Sequence, residues 1–169
     1  MYRTMENNST RKEKVMIQLK KILVPTDFSE PSGAAVKYGR EFAEQFGASL
    51  HVLHVMEDPF LYASASESYV VPLELHEQIE KSARERLNSV LSATDREKLH
   101  AEVVLKRGSP FVEIVRYARE QDVDLIVIGT HGRGPIAHML MGSVAEKVVR
   151  KAPCPVLTVR HPEHEFVMP

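Results

Sequence analysis

The sequence predicts an α/β protein: three layers built around a doubly wound sheet of five parallel strands. Two observations carry this expectation. Five short apolar runs rich in branched residues are spaced along the chain, and between them apolar residues recur every three or four positions. The first pattern marks buried strands and the second marks one face of a helix. Strands that alternate with helices pair in parallel, because each crossover returns over a face of the sheet. Right-handed crossovers then place helices on both faces. At 169 residues the chain fits one domain, since a domain takes roughly 100–200 residues. Such a chain buries about two thirds of its unfolded surface, which is enough for a core without covalent staples.

Residues 1–18 are polar, of mixed charge and without periodicity, and they read as a mobile arm. In "KKILVPTD" the run Ile22 to Val24 closes at Pro25, a buried strand stopped by a breaker. Ala35, Tyr38, Phe42 and Phe46 then mark one face of a helix, with Ser29 or Ser32 as N-cap and Gly47 as the stop. "SLHVLHVM" (49–56) is the second strand, and residues 57–72 form a long connection of small and turn-forming residues. Leu75, Ile79, Ala83, Leu87 and Val90 or Leu91 mark a second helix. "HAEVVLKRG" is a third strand ending at Gly108. Ser109-Pro110 open a third helix with Phe111, Ile114, Val115 and Ala118 inward. "DLIVIG" is the fourth strand and the most apolar. A last helix carries Val144, Val148 and Val149, and "PCPVLTVR" is the fifth strand. The domain therefore runs over 19–161, with a polar tail at 162–169.

Composition excludes several classes. Net charge is −1, with 22 basic against 23 acidic residues, whereas a nucleic-acid binder shows a basic excess. The single cysteine, Cys154, excludes a disulfide-built secreted fold. No apolar run approaches the length of a membrane span, and the N-terminus lacks the apolar segment of a signal peptide. We expect a cytoplasmic protein with neither a membrane nor a nucleic-acid partner.

The alternation does not by itself give strand order. In the order 3-2-1-4-5 the winding reverses between strands one and four, and open sheets of this kind bind ligands outside the strand C-termini at that reversal. The loops there are "PTDFSE" and "GTHGRG". The second belongs to "LIVIGTHGRGPIAHMLMGSVAEKVV", which holds four of the chain's eight glycines, Gly129, Gly132, Gly134 and Gly142. Glycine lets a ligand touch backbone without meeting a Cβ, and loop amides can converge on an anion. Ser143 followed by Glu146 has the form of a capping box, so a helix with its unpaired amides is expected to begin there. Arg133, His131 and His138 can add positive charge. A plainer reading stands beside this one: Gly129 only ends a strand, Ser143 only caps a helix, and Asp27 only shapes a turn. Neither a G-x-x-x-x-G-K-[ST] loop nor a G-x-G-x-x-G after the first strand is present.

Gly129-x-x-Gly132, then nine residues, then Gly142-Ser143 resembles the glycine signature of ATP-binding universal stress proteins. "KILVPTDFSEPSGAAVKYG", "LHVLHVM", "KRGSP" and "APCPVLTVR" resemble that family's opening strand and helix, second strand, Gly-x-Pro turn and closing strand. The resemblance covers roughly residues 18–160. It implies a Rossmann-like fold of the adenine-nucleotide alpha-hydrolase type, and ATP held with Mg²⁺. Gly129, Gly132, Gly142 and Ser143 match the phosphate-binding positions, with Arg133 in the same loop and Val144 next to Ser143 in the ATP-binding set. Asp27 matches the acidic residue on the ribose and phosphate side. Pro25 and Thr26 flank the adenine end, and Val55 matches the residue whose backbone reads the adenine edge. The sequence departs at Ala145, where some family members carry a second hydroxyl residue.

The family commonly dimerises through the closing strand, so a homodimer through Pro155–Arg160 is implied. The apolar edge residues Val156, Leu157 and Val159 agree with it. The implied function is a nucleotide-dependent regulator in stress response. No general base poised over a γ-phosphate is evident, and no catalytic residue is assigned. A slow ATPase or nucleotide hydrolase, and a nucleotide-free interaction module, are the alternatives. His51 and His54 lie three apart on a strand and so on opposite faces, which rules out a shared metal. Cys154 lies between two prolines with no activating neighbour in sequence, and reads as a small apolar residue.

Overall fold

A computed structural model describes residues 17–57, 73–130 and 141–160. Their elements run β1 (Lys21–Pro25), α1 (Glu30–Phe46), β2 (Ser49–Met56), α2 (Leu73–Ser89), α3 (Ala93–Lys98), β3 (Glu102–Arg107), α4 (Pro110–Glu120), β4 (Leu125–Gly129), α5 (Ser143–Lys151) and β5 (Val156–Val159). The five strands form one parallel sheet in the order β3-β2-β1-β4-β5. This is the predicted architecture. The arm at 1–16, the connection at 58–72, the loop at 131–140 and the tail from 161 lie outside the described residues. Among the described residues no helix is long and apolar enough to cross a membrane.

Alternation along the strands divides the core in two, because successive side chains point to opposite faces. Ile22, Val24, Leu50, Val52 and Val127 pack on one face with residues of α1 and α2. Leu23, Leu53, Ile126 and Ile128 pack on the other with Ile114 and Ala118 of α4 and Ala145 and Val148 of α5. Ile22, Leu23 and Val24 are fully buried. Each such side chain contributes roughly 1.5–3 kcal/mol relative to exposure.

The helix faces need correction. α1 buries Ser32, Ala35, Val36, Gly39 and Ala43, whereas Tyr38 and Phe46 are exposed. The reason is proximity. A Cβ at Gly39 would lie 2.4 Å from Val24 Cγ2, so α1 presses its small residues onto the sheet and turns the aromatic stripe to its flank. Likewise Leu75, Ile79 and Val149 are exposed, while Ala83 and Leu87 are buried. The short helix α3 was not anticipated. Ser92 caps it, its hydroxyl accepting from the Asp95 amide, which is a start signal the sequence did carry.

His51 and His54 do face opposite sides. His54 lies against Phe28, with ring centroids 4.3 Å apart. His51 is buried on the α4 side, with Nδ1 at 2.6 Å from the Tyr117 hydroxyl. Burial holds His51 below the ordinary histidine value of 6.5; the nearby Glu102 carboxylate opposes this, and Lys21 adds to it. The Tyr117 phenol is pushed up to about 12, by burial first and then by Glu102. The unfolded chain therefore takes a proton at His51 near pH 6.5 that the fold refuses. The stabilising contribution is complete above that pH and is lost as pH falls below it. We expect the melting temperature to drop between about pH 7 and pH 5, and to drop less in His51→Leu. Equal pH slopes for the two proteins would contradict this.

Candidate functional site

The C-terminal ends of β1 and β4 lie side by side. Ile22 pairs with Leu125 and Leu23 with Ile126, and the same register carried forward sets Thr26 level with Gly129. On the other side, the Thr26 amide donates to the Leu53 carbonyl at 2.8 Å. Thr26 thus prolongs β1 between its two neighbours and is itself buried.

After Thr26 the chain turns into α1 through a hydroxyl network. The Ser29 amide and hydroxyl both donate to Asp27 Oδ1, at 3.0 and 2.5 Å. This is a local Asx turn, the alternative to sheet pairing that aspartate offers. Ser29 is the N-cap, and its side chain accepts from the Ser32 amide. The Ser32 hydroxyl donates to the Ser29 carbonyl at 2.9 Å and lies 3.1 Å from Thr26 Oγ1. Because that hydroxyl has only one proton, Thr26 is the donor between the two. Thr26 Oγ1 in turn accepts from the Phe28 amide at 3.1 Å.

Burial alone pushes the Asp27 carboxyl up. The hydrogen bonds from the Ser29 hydroxyl and amide lead the contributions that outweigh it, and the group is held below the ordinary aspartate range. Asp27 is therefore an ionised acceptor at neutral pH, suited to hydroxyl donors and opposed to anions.

Phe28 has φ 64°, a left-handed conformation that is disfavoured by about 1–2 kcal/mol for a residue with a Cβ. Two contacts bear on its ring. The Arg86 guanidinium of α2 lies over it at 4.4 Å, and the His54 imidazole is the neighbour already described. A cation over a ring at an exposed site is worth about 0.5–1 kcal/mol, so the contacts are comparable with the strain. His54 Nδ1 also lies 2.7 Å from the Thr26 carbonyl.

Gly129 meets the first turn of α1. A Cβ there would lie 2.8 Å from the Pro31 carbonyl oxygen and 3.1 Å from the Ser32 amide nitrogen. Glycine is required by close approach of two backbones, not by an unusual φ. Beyond it, the Thr130 carbonyl accepts from the Gly142 amide at 2.6 Å, so the two ends of the intervening loop are held together. Gly132 and Arg133, with Gly134, His131 and His138, lie in that loop and outside the described residues.

The start of α5 differs from the expected capping box. Gly142 is the N-cap and gives no side-chain hydrogen bond, so Ser143 lies inside the first turn. Glu146 reaches forward to Arg150 at 2.8 Å instead of back to a cap. With the Gly142 amide bound to Thr130, the first-turn amides of Ser143, Val144 and Ala145 are those for which the helix supplies no acceptor. They carry the positive end of the helix dipole. α1, by contrast, has a side-chain cap: the Ser29 hydroxyl accepts from the Ser32 amide, and Pro31 has no amide to satisfy. Of the two helix starts flanking the site, that of α5 is the one without a side-chain cap.

Val55 lies on β2 opposite Lys106 and packs against the α4 side of the core. Pro25 is buried at the end of β1. Cys154 is half-buried, and burial, with Asp124, pushes its thiol up. That is the opposite of activation. Among the described residues no three His, Cys, Asp or Glu side chains gather as a metal site.

Known proteins resemble the chain over nearly its whole length. The model of the universal stress protein family matches residues 18–160. Universal stress protein MJ0531 of Methanocaldococcus jannaschii is 36% identical over 149 residues, covering 86% of this chain and 85% of that protein. The solved structure of MJ0577, a universal stress protein of the same organism, superposes with a TM-score of 0.71 at 30% identity, covering 87% of this chain and 99% of that one. A universal stress protein solved in complex with cAMP superposes with a TM-score of 0.55 at 28% identity, covering 85% and 98%.

Gly129→Ala sets a methyl group against backbone atoms that no rotamer change can move. We expect a loss of about 1–3 kcal/mol, typical of overpacking, read as a lower midpoint in urea unfolding. Wild-type stability would show that the start of α1 gives way freely.

Proposed function

The chain belongs to the universal stress protein family, and from that premise we propose that it binds ATP at the mouth of the sheet between β1 and β4. The observation that carries the reading is the pairing of an uncapped start of α5 with an ionised Asp27 at the neighbouring strand end. The first-turn amides of Ser143 and Val144, with the loop residues Gly132 and Arg133, take the phosphates. Gly129 lets α1 sit close over the end of β4, and Gly142 opens α5 without a side-chain cap. Asp27 accepts from the ribose hydroxyls, as an acidic residue does in other nucleotide sites of open sheets. Pro25, Thr26 and the Val55 backbone border the base. Mg²⁺ arrives on the triphosphate. The complex of a relative with cAMP agrees with an adenine nucleotide as the ligand class.

In this reading the nucleotide is a state signal. If two conformations differ in affinity for ATP, occupancy shifts their populations, and the protein acts as a nucleotide-dependent regulator in stress response. No residue is assigned to hydrolysis. The reading also includes a homodimer through Pro155–Arg160. Among the described residues β5 has a neighbouring strand on one side only, and an edge with Val156 and Leu157 half-buried is covered by an antiparallel copy of itself.

Two measurements test the proposal. Calorimetric titration with ATP, ADP, cAMP and GTP should show ATP binding, weakened by Gly132→Val and Ser143→Ala. Asp27→Asn should lower affinity by roughly tenfold to a hundredfold, the worth of a charged hydrogen bond. No heat and no melting shift at millimolar ATP would end the assignment. Sedimentation equilibrium should give twice the chain mass of 19.1 kDa, falling to the monomer in Leu157→Lys. A wild-type protein that stays monomeric at high concentration removes the dimer.

A further inference from the structure

We propose that Phe28 is a positioning residue for Asp27, held in its turn by Arg86 of α2 and His54 of β2. The Asx turn that fixes the Asp27 carboxylate runs through Phe28, since the Ser29 amide reaches back across it to Oδ1. That return is made here through the left-handed backbone that Phe28 adopts. Glycine or asparagine takes this conformation readily, and phenylalanine does not. An aromatic residue here needs compensation, and the structure supplies it from two separate elements: a guanidinium over the ring and an imidazole beside it. His54 is itself tied to the Thr26 carbonyl, and the Phe28 amide to the Thr26 hydroxyl. Ring and backbone of Phe28 are thus anchored to the same end of β1.

The ring does what a glycine could not. Glycine would permit the turn and also let it open; Phe28 permits it less easily and then holds it shut through contacts outside the loop. Because Arg86 stands on α2, the alignment of Asp27 depends on where α2 sits. Removing Arg86 loosens a carboxylate it does not touch. The consequence for nucleotide affinity rests on the function proposed above; the consequence for the turn does not.

The test uses the full chain. Asp27 is titrated by carbon NMR of its carboxyl group in the nucleotide-free wild type, Phe28→Gly, Phe28→Tyr, Arg86→Ala and Arg86→Lys. In Phe28→Gly and Arg86→Ala the titration should move up toward the ordinary value of 3.8 as the Ser29 bonds loosen. Phe28→Tyr keeps the ring and should titrate as wild type, with Arg86→Lys in between. Arg86 is exposed, so its loss leaves the fold intact, which a single cooperative melting transition lowered by about a few degrees at most verifies. ATP affinity should fall about two- to fivefold in Arg86→Ala, the worth of a surface cation–ring contact. An Asp27 titration that stays put in both Phe28→Gly and Arg86→Ala overturns the proposal. If wild type binds no ATP, the nucleotide reading fails while the titration still decides the role of Phe28.

Discussion

Backbone meets backbone where β4 ends and α1 begins, and the rest of the molecule is arranged around that contact. Gly129 has no room for a methyl group against Pro31 and Ser32. Ten residues into the helix, Gly39 has none against Val24. A helix that approaches a sheet this closely at both points has to present small residues where the backbones are nearest, with Val36 the larger buried residue between them. Ser32, Ala35 and Ala43 meet that demand. In return the helix start is held at a fixed height over the strand ends. Packing this dense has little freedom to yield, so the geometry at the mouth of the sheet follows from the core rather than from the loops.

That placement decides which helix start can serve a ligand. Ser32 is drawn against β4, and from there its hydroxyl links the Ser29 carbonyl to Thr26. The network caps the start of α1 at Ser29 and fixes Asp27 through the same residue. α5 follows a glycine and has no such side chain to spend on its amides. The absence of a cap that would be worth about 1 kcal/mol makes sense if the amides are wanted elsewhere. A capping box at Ser143 would have stabilised the helix and occupied those amides.

Fold and site were legible to different extents. Strand positions could be read because a parallel sheet covered on both faces needs continuous branched apolar runs, and Ile22–Val24 and Leu125–Ile128 are such runs. The caps at Ser29 and Gly47 carried ordinary signals. The inner face of α1 does not follow from periodicity, because large apolar residues at helical spacing mark an inward stripe while close approach selects small ones. Leu75 and Ile79 misled in a similar way, since the early part of α2 leaves them exposed. Family resemblance drew attention to Asp27 and Gly129, but it did not expose the physics at Phe28. Nothing in "TDFSE" announces a left-handed phenylalanine. The supporting residues, His54 and Arg86, come from elements distant in sequence and meet only in the fold.

The charges at the mouth set the direction in which a nucleotide would lie there. An ionised carboxylate about 5 Å from a phosphate oxygen, at an effective dielectric near 20, is repelled by about 3 kcal/mol. The start of α5 is attractive by a smaller amount for each charge near it. A triphosphate placed on Asp27 therefore loses on both counts, whereas ribose hydroxyls placed there donate to an acceptor already oriented by Ser29. The hydrogen bonds that keep Asp27 ionised below the ordinary aspartate range extend this preference into mildly acidic solution. In the proposed complex, then, the Asx turn does more than shape the chain: by keeping one carboxylate charged, it assigns the sugar to β1 and leaves the phosphates to α5.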